Sequence, residues 1–257
     1  MSAPFWQLAE PLDAFVFDCD GTLSTIEGID ELAMLNNTAS AVKELTAQAM
    51  NTTGINIGLY AQRLSLTRPT AEQLDAVGDL YFKNKTKDIL AVLQILRFLG
   101  KQVFILSAGI QRSVSAFAKR LDIEDQHVFA VDVFLDEQGY YKGFDENCPL
   151  VYPDGKSRVV EKLKNYYPRI CHVGDGMNDF TAQEFSTRFV GYGGAYYRPQ
   201  LEENCECYIK TASLLPLLPL TLTASEVNSL DGLALDFYEQ GCAMLQDHWV
   251  KFPQRAH

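Results

Sequence analysis

Near the N-terminus the apolar run Ala14-Phe15-Val16-Phe17 ends abruptly in Asp18-Cys19-Asp20-Gly21-Thr22-Leu23. The run is too short for a helix of its own and reads as a buried strand; Gly21 and Thr22 then break it. Asp18 and Asp20 therefore stand at a strand's carboxyl end, where open α/β sheets bind their ligands. Residues two apart on an extended backbone point to the same side, so the two carboxylates can divide one task. One attacks phosphorus; the other protonates the leaving oxygen and later activates water. Like charges that close call for a cation to hold them, and Mg²⁺ suits a site built from oxygen alone. The plain alternative is a strand end with two solvated turn aspartates, and the rest of the chain bears on that choice.

Beyond Leu23 the strand–helix alternation stops. Helical stretches run over Asp30–Leu35, Ala39–Met50 and Ile57–Leu66, with Asn51-Thr52-Thr53-Gly54 as a loop and Arg68-Pro69 as a stop. Thr70 and Gln73 have the spacing of a capping box for a fourth helix. This stretch reads as a helical module inserted after the first strand, with packing of the same helices on the main sheet as the alternative. Alternation then resumes. An amphipathic helix over Ile89–Leu99 is closed by Gly100, and a buried strand over Gln102–Leu106 ends in Ser107-Ala108-Gly109. A helix follows over Ser113–Leu121. Val128–Leu135 and Tyr140–Lys142 flank a turn, Asp136-Glu137-Gln138-Gly139, of hairpin chemistry. A helix over Ser157–Tyr166, a strand over Arg169–Val173, and short strands at Phe189–Tyr192 and Tyr208–Ile209 complete the pattern. Repeated strand–helix units imply a mostly parallel, Rossmann-like sheet with right-handed crossovers. The expected division is a core from residues 1–24 and 84–222, a helical cap from 25–83 and a C-terminal helical extension from 223–257. In that extension Leu233–Leu245 has helical content and suits either cover for a sheet face or a homodimer contact.

The chain has 257 residues, 47% of them hydrophobic, and a formal net charge of −11. That charge disfavours a nucleic-acid partner, because no basic stripe exists to neutralise phosphates. An anionic substrate must instead be captured by local positive groups against the global field. Residues 1–12 lack signal-peptide character, and no apolar run has membrane-spanning length. The six cysteines are scattered and read as reduced thiols of a cytoplasmic protein.

Three further strand ends or turns carry polar groups. Ser107 follows an apolar run; its hydroxyl and the backbone N–H groups of Ala108 and Gly109 can donate to phosphate oxygens. Lys156, placed just before a helix, can set a positive charge on the same phosphate. Gly174-Asp175-Gly176-Met177-Asn178-Asp179 ends another apolar strand. Asp175 is a candidate Mg²⁺ ligand with Asp18 and the Asp20 carbonyl, Asn178 can reach the substrate, and Asp179 can hold Lys156 or the metal's water shell. Each alone has an ordinary reading as a turn or surface residue; together, in one chain and all at apparent strand ends, they point to phosphoryl transfer.

In this order, Asp18-x-Asp20, Ser107, Lys156 and Gly174-Asp175-Gly176-x-Asn178-Asp179 resemble the motifs of the haloacid dehalogenase superfamily, and by that resemblance Asp20 would set the chain with its phosphatases and phosphotransferases, apart from the dehalogenases that lack it. Glu27–Ala33, Ala49-Met50, Arg63-Leu64, Val128–Ala130 and Gly143–Glu146 extend the similarity toward its phosphoserine phosphatase branch, over roughly Ala14 to Ile209. The resemblance implies a Rossmann-like core with a helical cap, Asp18 as nucleophile and Asp20 as general acid/base. It implies Mg²⁺ on Asp18, Asp20 and Asp175, and a small phosphorylated metabolite held by Ser107, Ala108, Lys156 and Asn178. Glu27 would meet the substrate ammonium and Arg63 its carboxylate, a contact that is often bidentate. The chain departs from the family pattern at Thr52, at Asn56 (an apolar residue elsewhere) and at Ala108 (usually glycine). The departures at Thr52 and Asn56 keep open a phosphatase or phosphotransferase for another small phosphate; a non-catalytic interaction protein is the remaining alternative.

Overall fold

The computed structural model describes residues 6–50, 56–246 and 248–253, excepting the side chains of 47–50. The apolar run forms β1 (Ala14–Phe17), with all four residues buried; removing each of the large side chains from water favours folding by about 1.5–3 kcal/mol. Four helices follow: α1 (Gly28–Leu35), α2 (Ala39–Met50), α3 (Ile57–Thr67) and α4 (Ala71–Lys83). After α5 (Ile89–Phe98) come β2 (Gln102–Ile110), α6 (Gln111–Arg120), β3 (Val128–Val131), β4 (Val133–Leu135), β5 (Tyr141–Phe144) and α7 (Gly155–Lys164). Then come β6 (Ile170–Gly174), α8 (Met177–Phe180), β7 (Arg188–Tyr192), α9 (Pro199–Asn204) and β8 (Cys207–Ile209). Next comes α10 (Leu217–Thr221), and the tail adds α11 (Ala224–Val227), α12 (Gly232–Leu245) and β9 (Val250–Lys251).

Seven strands form one sheet in the order β3-β2-β1-β6-β7-β8-β9. Every pairing in it is parallel except β8 with β9. This is the α/β, mostly parallel architecture expected from the alternating pattern. Chain order reverses between β1 and β6, so the crevice at their carboxyl ends is a topological switch point, where such sheets take their ligands.

Strand β2 runs on to Ile110, beyond its expected end at Leu106. Its register against β3 shifts between Leu106 and Ile110, so the extra residues Ser107-Ala108-Gly109 bulge out of the ladder and re-aim their side chains. Two other elements differ from expectation. Val128–Leu135 is two strands: β3 joins the main sheet, while β4 pairs with β5 in a separate antiparallel ribbon. A continuous apolar run does not reveal its partners, and here the partner changes at Asp132, whose carbonyl accepts Asp145 N–H at 2.9 Å. The tail, expected to be helical, contributes a strand as well. β9 extends the sheet edge at β8, while α12 packs on α10 and α5.

Helices α1, α2 and α3 pack on one another, and α4 lies between α1 and α6. Thr70 and Gln73 form the expected capping box of α4. Ser113 Oγ donates to the Leu74 carbonyl at 2.7 Å, and Asp75–Arg112 and Asp79–Arg120 pair along the α4–α6 seam. The β4–β5 ribbon braces the same helices: Ala71 N–H donates to Gly139 O at 2.9 Å, and the rings of Tyr60 and Phe144 lie 5.1 Å apart. All six cysteines are free thiols. Among the described residues, no helix is long and apolar enough to cross a membrane.

Candidate active site

The carboxyl end of β1 carries Asp18 into a buried ionic cluster. Asp18 Oδ1 accepts Cys19 N–H at 2.8 Å and lies 2.7 Å from Lys156 Nζ. Lys156, expected just before a helix, is instead the second residue of α7, with its ammonium buried beneath the sheet's end. It lies 2.7 Å from Asp179 Oδ1, and so Asp179 does hold the lysine. Asp179 is shared further: its Oδ1 is 3.0 Å from His172 Nε2, and its Oδ2 accepts Gly176 N–H at 3.1 Å.

Asp20 is held by separate donors. Its Oδ1 accepts Gly28 N–H and the Tyr81 hydroxyl, both at 2.6 Å. Its Oδ2 accepts the Ser107 hydroxyl at 3.1 Å, and Ser107 Oγ in turn accepts Gly109 N–H at 2.8 Å. The β2 bulge thus faces β1. A Cβ on Gly109 would stand 2.9 Å from both Asp20 Oδ2 and Ser107 Oγ, closer than a side chain tolerates, so glycine permits the approach.

Burial dominates the electrostatics. It pushes the Asp18 carboxyl well above the ordinary carboxylate range, with Asp179, Asp175 and Asp20 adding to the rise and Lys156 opposing it. Burial also lifts Asp175, to about 6, against the pull of Arg198. Burial acts the same way on Asp179, but Lys156 and His172 outweigh it and hold that carboxyl at about 2. Burial works to lower the Lys156 ammonium; Asp179 and Asp18 win, and its pKa is raised.

Carboxylate oxygens of Asp18, Asp175 and Asp179 lie within 4.8 Å of one another. A buried, all-oxygen set of this kind fits a hard cation, and bringing one in would offset the repulsion that raises Asp18 and Asp175. Gly21 leaves room for the arrangement: a Cβ there would stand 2.7 Å from Asp175 Cγ and Oδ2. The sequence joins Asp18 and Asp175 with the main-chain carbonyl of Asp20; among the described side chains, Asp179 completes the cluster.

A cavity of about 630 Å³ opens over these groups. Asp18, Asp20, Ala108, Lys156, Asp175 and Asn178 line its floor. Its lining also includes Glu27, the residue just ahead of α1, and Tyr60 and Arg63 of α3. Ser107 is fully buried behind Ala108. Burial, with Asp20 and Asp175 nearby, drives the Glu27 carboxyl well above its ordinary range. Arg63 is buried; one terminal nitrogen donates to Thr46 Oγ1 at 3.4 Å, and its Nε has no hydrogen-bond partner. Asn56, expected to alter the cap's substrate contacts, does not line the cavity. Its exposed side chain caps α3 by accepting Leu59 N–H at 3.0 Å. Thr52 lies outside the described residues.

Three residues of the site escaped sequence reasoning. Tyr81 and His172 occupy apolar-looking positions in a helix and a strand, with no local sign of a polar partner. Arg198 donates to Asp175 Oδ2 from Nη2 at 2.7 Å and Nε at 3.1 Å. It stands in Tyr196-Tyr197-Arg198-Pro199, just before α9, where the reading that singled out Lys156, a cation just before a helix, applies equally.

Residues 12–182 match the family of haloacid dehalogenase-like hydrolases. A phosphoserine phosphatase of Bos taurus is 36% identical over 199 residues, covering 77% of this chain and 88% of that one. Its Homo sapiens counterpart is 34% identical over the same shares. A solved structure described as a phospho-aspartyl intermediate analogue of phosphoserine phosphatase matches the fold with a TM-score of 0.69. It is 23% identical, covering 81% of this chain and 98% of that one. By family match and by relatives above 30% identity, the chain belongs to the haloacid dehalogenase-like hydrolases.

Proposed function

We propose that the protein is a Mg²⁺-dependent phosphomonoesterase that hydrolyses O-phospho-L-serine through an aspartyl-phosphate on Asp18. The observation that carries this reading is that one cavity is lined by Asp18, Asp20, Lys156 and Asp175 together with Glu27 and Arg63. Relatives that bear the name phosphoserine phosphatase at 34–36% identity support it.

In the proposed reaction, an Asp18 carboxylate oxygen attacks phosphorus as the bond to the serine oxygen breaks, and Asp20 gives that oxygen its proton. Asp20, now a carboxylate, then takes a proton from water as the water displaces Asp18 from phosphorus. Lys156 and the Ser107–Ala108 bulge stabilise the charge on the phosphoryl oxygens, and Asn178 orients the ester. Asp18, Asp175 and the Asp20 carbonyl would hold Mg²⁺, which neutralises charge on the transferring group. Glu27 takes the substrate ammonium. Arg63, with its unpartnered Nε, takes the carboxylate through its planar fork. Helices α1–α4, within residues 25–83, serve as the cap that excludes bulk water during the reaction.

Phosphate release from a panel of phosphomonoesters, with and without acceptor alcohols, tests the proposal. O-Phospho-L-serine is expected to rank first and Asp18→Asn to lose at least about 10³-fold in kcat with the fold intact. Another ester ranking first, or transfer to an alcohol outpacing hydrolysis, defeats the substrate assignment. Undiminished turnover by Asp18→Asn defeats the covalent scheme.

A further inference from the structure

A lysine of the C-terminal tail holds one end of a helix whose other end lines the active-site cavity. Strand β9 lies antiparallel on β8, with Val250 opposite Ile209 and Lys251 opposite Tyr208, and Lys210 N–H donates to Trp249 O at 2.7 Å. This pairing delivers Lys251 to the far end of α9, where its ammonium donates to the carbonyls of Glu202 and Glu203. Carbonyls in a helix's last turn lack intrahelical donors, and a lysine there meets both them and the helix's negative end.

The other end of the same helix belongs to the active site. Arg198, Pro199, Gln200 and Leu201 line the cavity, and Arg198 grips Asp175. Within α9 itself only Leu201 is buried. Six residues with one apolar anchor do not set their own position, so polar ties must. Glu202 supplies two more: Oε1 lies 2.8 Å from Lys210 Nζ, and Oε2 accepts the Tyr197 hydroxyl at 2.6 Å. The tail is itself well seated. The rings of Trp6 and Phe252 lie 4.9 Å apart, and Gly241 lets α12 come so close to Leu215 that a Cβ would stand 2.4 Å from its carbonyl oxygen.

We propose that Lys251 is a positioning residue for the active site. By fastening the C-terminal end of α9 to the sheet edge, it sets where Arg198 stands over Asp175 and the cavity floor. Lys251, like α9 itself, lies outside the residues 12–182 matched by the family. Its kinetic consequence rests on the phosphatase reading; its mechanical consequence does not.

The test compares full-length wild type, Lys251→Met and Lys251→Arg. Methionine keeps most of the stem and removes the donors; arginine restores them. Lys251→Met is expected to raise KM for O-phospho-L-serine roughly tenfold, the scale of one lost charged hydrogen bond, with kcat within about twofold; Lys251→Arg recovers most of the loss. Amide hydrogen exchange should quicken over residues 196–204 in Lys251→Met alone, with exchange elsewhere and the melting temperature near wild type. Unchanged KM and unchanged exchange over 196–204 overturn the proposal. Faster exchange across the whole chain also overturns it, since that is the mark of general destabilisation. If wild type hydrolyses no phosphoserine, the functional reading falls, and the exchange experiment still decides the role of Lys251.

Discussion

Tyr81 donates its phenolic hydroxyl to Asp20 Oδ1 at 2.6 Å across 61 residues of sequence. The donor comes from the last inserted helix and the acceptor from the end of the first strand, so the helical insert touches the proposed acid/base directly. Tyr81 is 1% exposed and its ring packs 5.6 Å from that of Phe117, which leaves the hydroxyl little freedom. Tyr81→Phe keeps the ring and removes one of three donors to Asp20. A hydrogen bond to a charged group contributes about 1.5–3 kcal/mol, so kcat is expected to fall about tenfold or more, with KM nearly unchanged. Steady-state kinetics on a folded variant check it; an unaltered kcat would show that Gly28 N–H and Ser107 suffice to place the carboxylate.

Gly21 has φ +69°, and an added Cβ would meet the Asp175 carboxylate at 2.7 Å. Gly21→Ala therefore strains the turn and displaces a proposed cation ligand at once. Disturbing the support of a metal ligand typically weakens binding about 10–100-fold. Calorimetric titration with Mg²⁺ or Mn²⁺ is expected to show a loss on that scale, independent of any turnover assay. Affinity equal to wild type would remove Asp175 from the site.

Asn56 stabilises a helix end. Asn56→Ala is expected to lower stability by about 1 kcal/mol, the usual worth of an N-cap side chain, measured by chemical denaturation. Neither that variant nor Asn56→Phe should change the ranking of phosphoester substrates, since the side chain does not line the cavity. A reordered ranking would return Asn56 to the substrate's neighbourhood.

The α4–α6 seam has a pH signature. The Arg112 guanidinium, hydrogen-bonded to Asp75, holds its carboxyl below the ordinary carboxylate range. A depressed folded value means that the contribution to stability is fully present above the unfolded value of about 3.9 and is lost as pH falls through the lower folded value. Both side chains are about half exposed, so the effect is small and screened by salt. Melting temperatures of wild type and Asp75→Asn should differ slightly at neutral pH and converge as pH falls below the unfolded value of about 3.9 and through the lower folded one. A difference that persists in acid would assign the effect to something other than this pair.

Much of the architecture was legible because its causes are local. An apolar run cut by Asp-x-Asp-Gly-Thr makes a buried strand with carboxylates at its end, whatever surrounds it. The Thr70–Gln73 capping box and the Gly100 stop depend on residues a few positions apart. The strand ends carrying Asp18, Asp20, Ser107 and Asp175 could therefore be placed in order, and a parallel sheet gathers such ends into one crevice. Only the tertiary structure decided what those ends touch. Tyr81 reaching Asp20, His172 sharing Asp179 with Lys156, and Arg198 gripping Asp175 are pair contacts between elements far apart in sequence. Periodicity and turn chemistry record a residue's face and backbone angles, and they leave its partner open. The same reason explains the split at Asp132 and the strand at Val250–Lys251: a short apolar segment declares that it will pair, and the packing around it selects the edge.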